Sequence, residues 1–300
     1  MKHNQIVKYR SKKSACALLF LLENTKNNEK GQTNKKDFVI LILLNFISSK
    51  GGFAGLGAKY TRPHEITYYE CDVNHTIKLS TMIAIVIKVS EEQSDLLNRG
   101  NDYIQSLGVT WIITQYEVFV SRLPKVNEKV EITTQAMEYN KYFCYRNFWI
   151  TTESGEELVR IESIFSLMDY TTRKISSVTQ EIIAPFESEK ITKIKRPPKI
   201  ETLEDPQSVP YRVRFYDIDS NHHVNNAVYF NWLIDGLGYD FLTTYEPKYM
   251  NVRFDKEVEY GNLIESQYEI VDQDQGKKTL HAVKIADKTY CQAEINWQAR

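Results

Sequence analysis

Apolar and polar positions along this chain fall into two successive series with the same order of elements. Alternation over "HEITYYE" (64–70) predicts a strand. A long apolar-to-polar helix follows at about 79–98. Four strand-like segments come next, near 109–121, 128–138, 141–152 and 157–169, with "ESG" (153–155) as a tight turn between the last two. The second series starts with a strand at 210–216 and a helix at about 225–242. Its strands are expected near 248–258, 262–272, 277–286 and 289–297. Both halves read β-α-β-β-β-β.

An ungapped comparison supports a repeat. "YECDVNH" (69–75) lies over "YDIDSNH" (216–222), so that Asp72, Asn74 and His75 coincide with Asp219, Asn221 and His222. Between the halves, residues 188–209 are charged and carry Pro197, Pro198 and Pro206, with Pro210 just beyond. Proline cannot sit in a central strand, so this stretch reads as a linker. Each helix is apolar around most of its circumference over three turns and therefore has to be buried. The expected class is α+β: two tandem hot-dog folds at 59–187 and 210–300, each an antiparallel sheet wrapped around a long central helix. A cleft is expected between the two units.

Residues 1–58 have no counterpart in the repeat. They carry ten Lys or Arg against three Asp or Glu, whereas residues 59–300 sum to −8. The acidic body argues against a nucleic-acid surface, and no helix-turn-helix pattern is evident. The apolar runs at 15–22 and 38–47 are shorter than the about 20 residues that span a bilayer, so no stable membrane insertion is expected. The second run resembles a signal-peptide core but starts far into the chain and lacks a clear A-x-A site. "GGFAGLG" (51–57) is a hinge and not a phosphate loop, since no Lys-Ser or Lys-Thr follows. The segment is expected to be a disordered extension, with a membrane-associated leader as the alternative reading. Four widely spaced cysteines, Cys16, Cys71, Cys144 and Cys291, read as reduced thiols of a cytoplasmic protein.

The most polar stretch, "DIDSNHHVNN" (217–226), opens onto the largely apolar "AVYFNWLIDGLGYDFL". Asp219 and Asn221 can act simply as helix caps. His222 and His223 point to opposite sides of an extended stretch, so they do not share a metal. "DIDSN" imitates the start of an EF-hand loop, but His222 stands at its sixth position and Val228 at its twelfth, which removes calcium. No metal and no cofactor are expected.

"DIDSNHHVNNAVYFNWL" resembles the signature of the acyl-acyl-carrier-protein thioesterases, whose second hot-dog repeat carries Asp-x-Asn-x-His-Val-Asn-Asn. "YYECD" and "SLMDYTTRKI" (166–175) extend the resemblance, which spans residues 60–300. It implies hydrolysis of fatty acyl thioesters of acyl carrier protein to free fatty acid. It also implies catalytic roles for Asp219, Asn221, His223 and Glu257. Plant members carry a cysteine after that glutamate. Here Val258 stands there, so a papain-like mechanism has no nucleophile at this position.

On this reading Glu257 is the general base, and it lies on a strand that returns beside the helix start. Asn221 and His223 place water and carbonyl, and Asp219 holds both. The backbone amides of Val224 and Asn225 at the helix start are the expected oxyanion donors. In the first repeat Thr76 stands opposite His223, and a rough alignment puts Leu123 opposite Glu257. That half is expected to supply structure and acyl pocket, with Met82, Ile83 and Val86 as pocket candidates. Acyl carrier protein is acidic, and the linker cations Lys193, Lys195 and Arg196 are candidates to receive it. An acyl-CoA thioesterase and a non-catalytic acyl-binding or regulatory protein are the competing readings. Oligomeric state is left open, a homodimer included.

Overall fold

The computed structural model describes residues 57–300. The expectation for residues 1–58 falls, apart from its last two residues, outside the described part. The described residues form one compact unit in which both halves share a single sheet.

The first half contributes β1 (Lys59–Glu65), α1 (Leu79–Leu96), α2 (Asn101–Ser106), β2 (Val109–Val120), β3 (Lys129–Tyr139), β4 (Cys144–Thr152) and β5 (Glu157–Asp169). Short elements close it: β6 (Ile175–Ser176), α3 (Gln180–Ile183) and β7 (Glu189–Lys190). The second half contributes β8 (Gln207–Arg212), α4 (Asn226–Asp235), α5 (Tyr239–Thr244), β9 (Tyr245–Phe254), β10 (Leu263–Asp272), β11 (Lys277–Ile285) and β12 (Lys288–Ala299).

Strand order is β1-β3-β4-β5-β2-β9-β12-β11-β10-β8, with β6 on β5 and β7 on β3. Read from its outer edge inward, each half has the same order, and β2 meets β9 antiparallel at the centre. The repeat therefore holds in topology, and each half is a hot-dog fold. Its local hydrogen bonds hold as well. Asn74 N donates to Asp72 Oδ1 at 2.9 Å and Asn221 N to Asp219 Oδ1 at 2.8 Å. Ile77 N donates to Pro124 O at 2.9 Å and Val224 N to Val258 O at 3.0 Å. These pairs bring Thr76 opposite His223 and Leu123 opposite Glu257.

Three expectations about elements are corrected. The predicted edge strands at 64–70 and 210–216 end earlier, at Glu65 and Arg212. Each is followed by a 3-10 turn, Tyr68–Glu70 and Phe215–Asp217. In both turns a carboxylate reaches back to a backbone amide: Glu70 accepts from Thr67 N and Asp217 from Arg214 N, each at 2.7 Å. That closure competes with strand extension.

The second helix is not one long rod. It stops at Asp235 and restarts at Tyr239. Gly238 lies at φ 83°, ψ 166°, a conformation that L side chains rarely adopt. Gly236 lets Tyr268 approach so closely that a Cβ there would sit 2.7 Å from the ring. Finally, α1 is not buried all round. It buries one stripe, Leu79, Met82, Ile83, Val86, Val89, Ser90 and Gln93, while α4 buries Ala227, Tyr229, Phe230, Trp232 and Leu233. The two central helices pack on each other within the main core.

The linker is not free in solvent. Lys195 N donates to the Tyr145 hydroxyl at 2.9 Å, and the carbonyl of Pro198 accepts from Asn251 Nδ2 at 2.9 Å. Tyr145 alternates with Arg146, which bonds α1, and Asn251 lies between the core residues Met250 and Val252. Successive strand residues face opposite sides. The linker therefore crosses the face of the sheet turned away from the helices.

Candidate active site

The site is built on the loop between the 3-10 turn and α4. Asp217 is buried, accepts from the backbone and side chain of Arg214, and receives Asn225 N on its carbonyl at 2.9 Å. His222 takes φ 66°, turning the chain so that His223 and not His222 faces inward. Asp219 N donates to His223 O at 2.9 Å, closing the loop on itself.

Asp219, Asn221, His223 and Glu257 all line one cavity of about 1130 Å3. His223 Nε2 lies 3.2 Å from Glu257 Oε2. Burial pushes the Asp219 carboxyl above its usual range, and the Asn221 amide and His223 offset part of that rise. Glu257 is not on a strand. β9 ends at Phe254, and the glutamate sits in the following loop, which returns to the helix start through the Val224–Val258 hydrogen bond.

The expected oxyanion donors are corrected. The amide of Val224 is committed to Val258 O and that of Asn225 to Asp217 O. Asn225 is instead the N-cap, its side chain accepting from Ala227 N at 2.9 Å. The first amide at the helix start without a partner among the described residues is that of Asn226, which also lines the cavity. Capping positions are uncertain by a residue in any sequence reading, and that single step moves the free donor.

Of the acyl-pocket candidates, Ile83 lines the cavity, whereas Met82 and Val86 are fully buried in the core behind it. Other apolar lining comes from Ile87, Trp111, Ile113, Phe165 and Met168. The linker cations are not brought to the site. Lys193, Lys195 and Arg196 lie with the linker on the far face of the sheet, and Lys195 is paired with Glu138.

Two residues were missed. Arg146 on β4 lines the cavity wall and donates to Gln93 Oε1 at 2.7 Å and to Thr134 Oγ1 at 2.9 Å. Burial lowers its guanidinium to about 10. Arg173, from the turn after β5, reaches His223 Nε2 at 3.1 Å and pairs with Glu257. Only the strand pairing that joins the two halves reveals that contact. Among the described residues no group of three or more His, Cys, Asp or Glu is placed to hold a metal ion, and no helix is long and apolar enough to cross a membrane.

This fold and this cavity define a tandem hot-dog protein with one acid–histidine site, built by its second repeat and closed by its first. Residues 57–186 match the family model described as Acyl-ACP thioesterase N-terminal domain, and residues 200–299 that of the Acyl-ACP thioesterase C-terminal domain. The chain belongs to the acyl-ACP thioesterase family.

A chloroplastic acyl-acyl-carrier-protein hydrolase of Cuphea viscosissima is 25% identical over 239 residues, covering 75% of this chain and 58% of that protein. An Arabidopsis thaliana oleoyl-acyl carrier protein thioesterase is 22% identical over 230 residues, covering 70% and 62%. The chain thus spans less than two thirds of the length of these curated relatives. A Lactobacillus plantarum protein described as an oleoyl thioesterase has a crystal structure that superposes with TM-score 0.78 at 38% identity, covering 81% of this chain and 97% of that one. The 12:0-ACP thioesterase of Umbellularia californica shares the fold, with TM-score 0.72 at 18% identity over 81% and 98%.

Proposed function

We propose that the protein hydrolyses fatty acyl thioesters of acyl carrier protein, releasing free fatty acid. One observation carries the reading. Asp219, Asn221, His223 and Glu257 converge on a half-apolar cavity, while the first repeat keeps Asp72 and Asn74 but holds Thr76 and Leu123 at the positions of His223 and Glu257. A protein that only stored acyl chains would need the cavity and not the polar set. The carrier-protein thioester as substrate rests on the names borne by the relatives.

In the proposed reaction, Glu257 takes a proton from water through its carboxylate, and the water oxygen bonds to the thioester carbon. The carbonyl oxygen gains the electron pair and is held by the amide of Asn226, at the positive end of α4. Asp219 and Asn221 form the turn that presents His223. Collapse of the tetrahedral species breaks the C–S bond, and the proton on Glu257 passes to the leaving sulfur. Water is consumed, and acid and thiol are formed. Arg99 and Lys256 line the same cavity beside the carboxylates of Glu91, Asp95 and Asp255, and are the cations proposed here to meet an acidic carrier.

Single-turnover hydrolysis of acyl-carrier-protein and acyl-CoA thioesters of graded length tests the reading. Glu257→Gln is expected to slow turnover by roughly 100- to 10,000-fold while a non-hydrolysable acyl analogue binds as before. Equal rates on CoA and carrier thioesters would remove the carrier from the proposal. Tight analogue binding with no turnover of any thioester by the parent would make the protein an acyl-binding one.

A further inference from the structure

The guanidinium of Arg173 sits where two acceptors meet. Its Nη2 lies 3.1 Å from His223 Nε2 and pairs with Glu257 Oε2, and those two acceptor atoms are 3.2 Å apart. A guanidinium nitrogen only donates. Nη2 carries two hydrogens, one for each acceptor. A histidine nitrogen that accepts carries no proton, so the ring proton resides on Nδ1.

The arginine is delivered by a built turn. Asp169, the last residue of β5, accepts from Thr171 N at 3.1 Å, Thr172 N at 2.7 Å and Thr172 Oγ1 at 2.9 Å. Arg173 N returns to Asp169 O at 3.0 Å, and Arg173 holds φ 54°, which a non-glycine residue adopts only when its surroundings impose it. The turn belongs to the first repeat, and both acceptors belong to the second.

We propose that Arg173 is a positioning residue of the active site. It fixes His223 as the Nδ1–H tautomer and holds one oxygen of Glu257 against it, leaving Glu257 Oε1 to meet water. The catalytic consequence rests on the hydrolysis proposed above, but the tautomer does not. Without Arg173, Nε2 takes the proton and donates it to Glu257 Oε2. The pair then locks together, and the carboxylate is a poorer acceptor for water. The first repeat thereby contributes a side chain to the site and not only a wall.

The test uses the full chain labelled with 15N-histidine, with His223 assigned by comparison with His223→Asn. At neutral pH the parent should show His223 Nε2 unprotonated and Nδ1 protonated. In Arg173→Met the proton should move to Nε2. On an acyl thioester that the parent hydrolyses, Arg173→Met should lower kcat by about 10- to 100-fold and leave KM within about twofold. Added guanidinium ion should restore part of kcat, a rescue that a merely structural arginine would not show.

A protonated Nε2 in the parent would overturn the proposal by itself, even should the variant fail to fold. So would a variant with unchanged kcat, or one whose loss lies in KM alone. A parent inactive on every thioester would end the hydrolase reading, while the 15N spectra would still decide the tautomer.

Discussion

A cysteine attacks as its thiolate, which burial disfavours. Burial pushes the Cys144 thiol up to about 12 and Cys291 well above its usual value. Cys71 is raised by burial, with Asp72 and Glu70 adding to the rise. Val258 is itself fully buried, so a side chain at that position points into the core and not at the water. Replacing Cys71, Cys144 and Cys291 together by alanine should leave hydrolysis within a few-fold of the parent. Iodoacetamide should likewise not inhibit the native protein.

His281 is the other titratable residue that the fold hides. It is fully buried, with Nε2 2.7 Å from Thr279 Oγ1, and burial lowers it to about 3. Its folded value lies below its unfolded one, so between the two the unfolded chain binds more protons. Its contribution to stability is complete above about pH 6.5 and is lost as pH falls, by about 1.4 kcal/mol per unit. Urea unfolding at pH 7 and pH 5 should differ by about 2 kcal/mol from this group. That difference should largely vanish in His281→Gln.

Residue types were legible at this scale: Asp219, Asn221, His223 and Glu257 do line one cavity. The free amide was misplaced because the amides of Val224 and Asn225 donate to Val258 O and Asp217 O, contacts set by tertiary pairing. Arg173 lies in the segment "SLMDYTTRKI" that carries the resemblance, but its contact with the site could not be found from the sequence. Its relation to His223 spans 50 residues and depends on how two strands pair across the centre of the sheet.

Among the elements, the four later strands of each half were legible because alternation survives wherever one face is buried. The edge strands were overrun because tyrosine-rich sequence suits strands, whereas a single carboxylate, Glu70 or Asp217, turns the chain. The α4–α5 break was hidden because the segment stays apolar through "LIDGLGYDFL" and reads as a continuing helix. Gly238 has nothing within 4 Å of a would-be Cβ, so its cost on substitution is backbone strain alone. Gly238→Ala should destabilise by roughly 1–3 kcal/mol, read as a lowered Tm. An unchanged melt would show that the turn relaxes.

For the molecule as a whole, the seam between the halves carries a buried polar clasp. Gln115 Nε2 on β2 donates to Asn251 Oδ1 on β9 at 2.6 Å, and Asn251 Nδ2 donates to Pro198 O of the linker. One side chain ties both repeats and the linker. Asn251→Leu orphans the buried donor Gln115 Nε2 and releases the linker carbonyl of Pro198, at a cost of roughly 1–3 kcal/mol for the buried donor. The urea midpoint should fall with its slope unchanged. The clasp lies on the face away from the cavity, so kcat should hold.

The like order of strands in the two halves also fixes a count. Two identical subunits joined along such a central strand pair would present two equivalent sites, each able to sense the other's occupancy. Here Thr76 and Leu123 stand where the second histidine and glutamate would be, so the described residues hold one catalytic set. A calorimetric titration with a non-hydrolysable analogue should saturate at one ligand per chain, with a single-site isotherm. Among the described residues, alternating turnover between the halves has no second catalytic set through which to act.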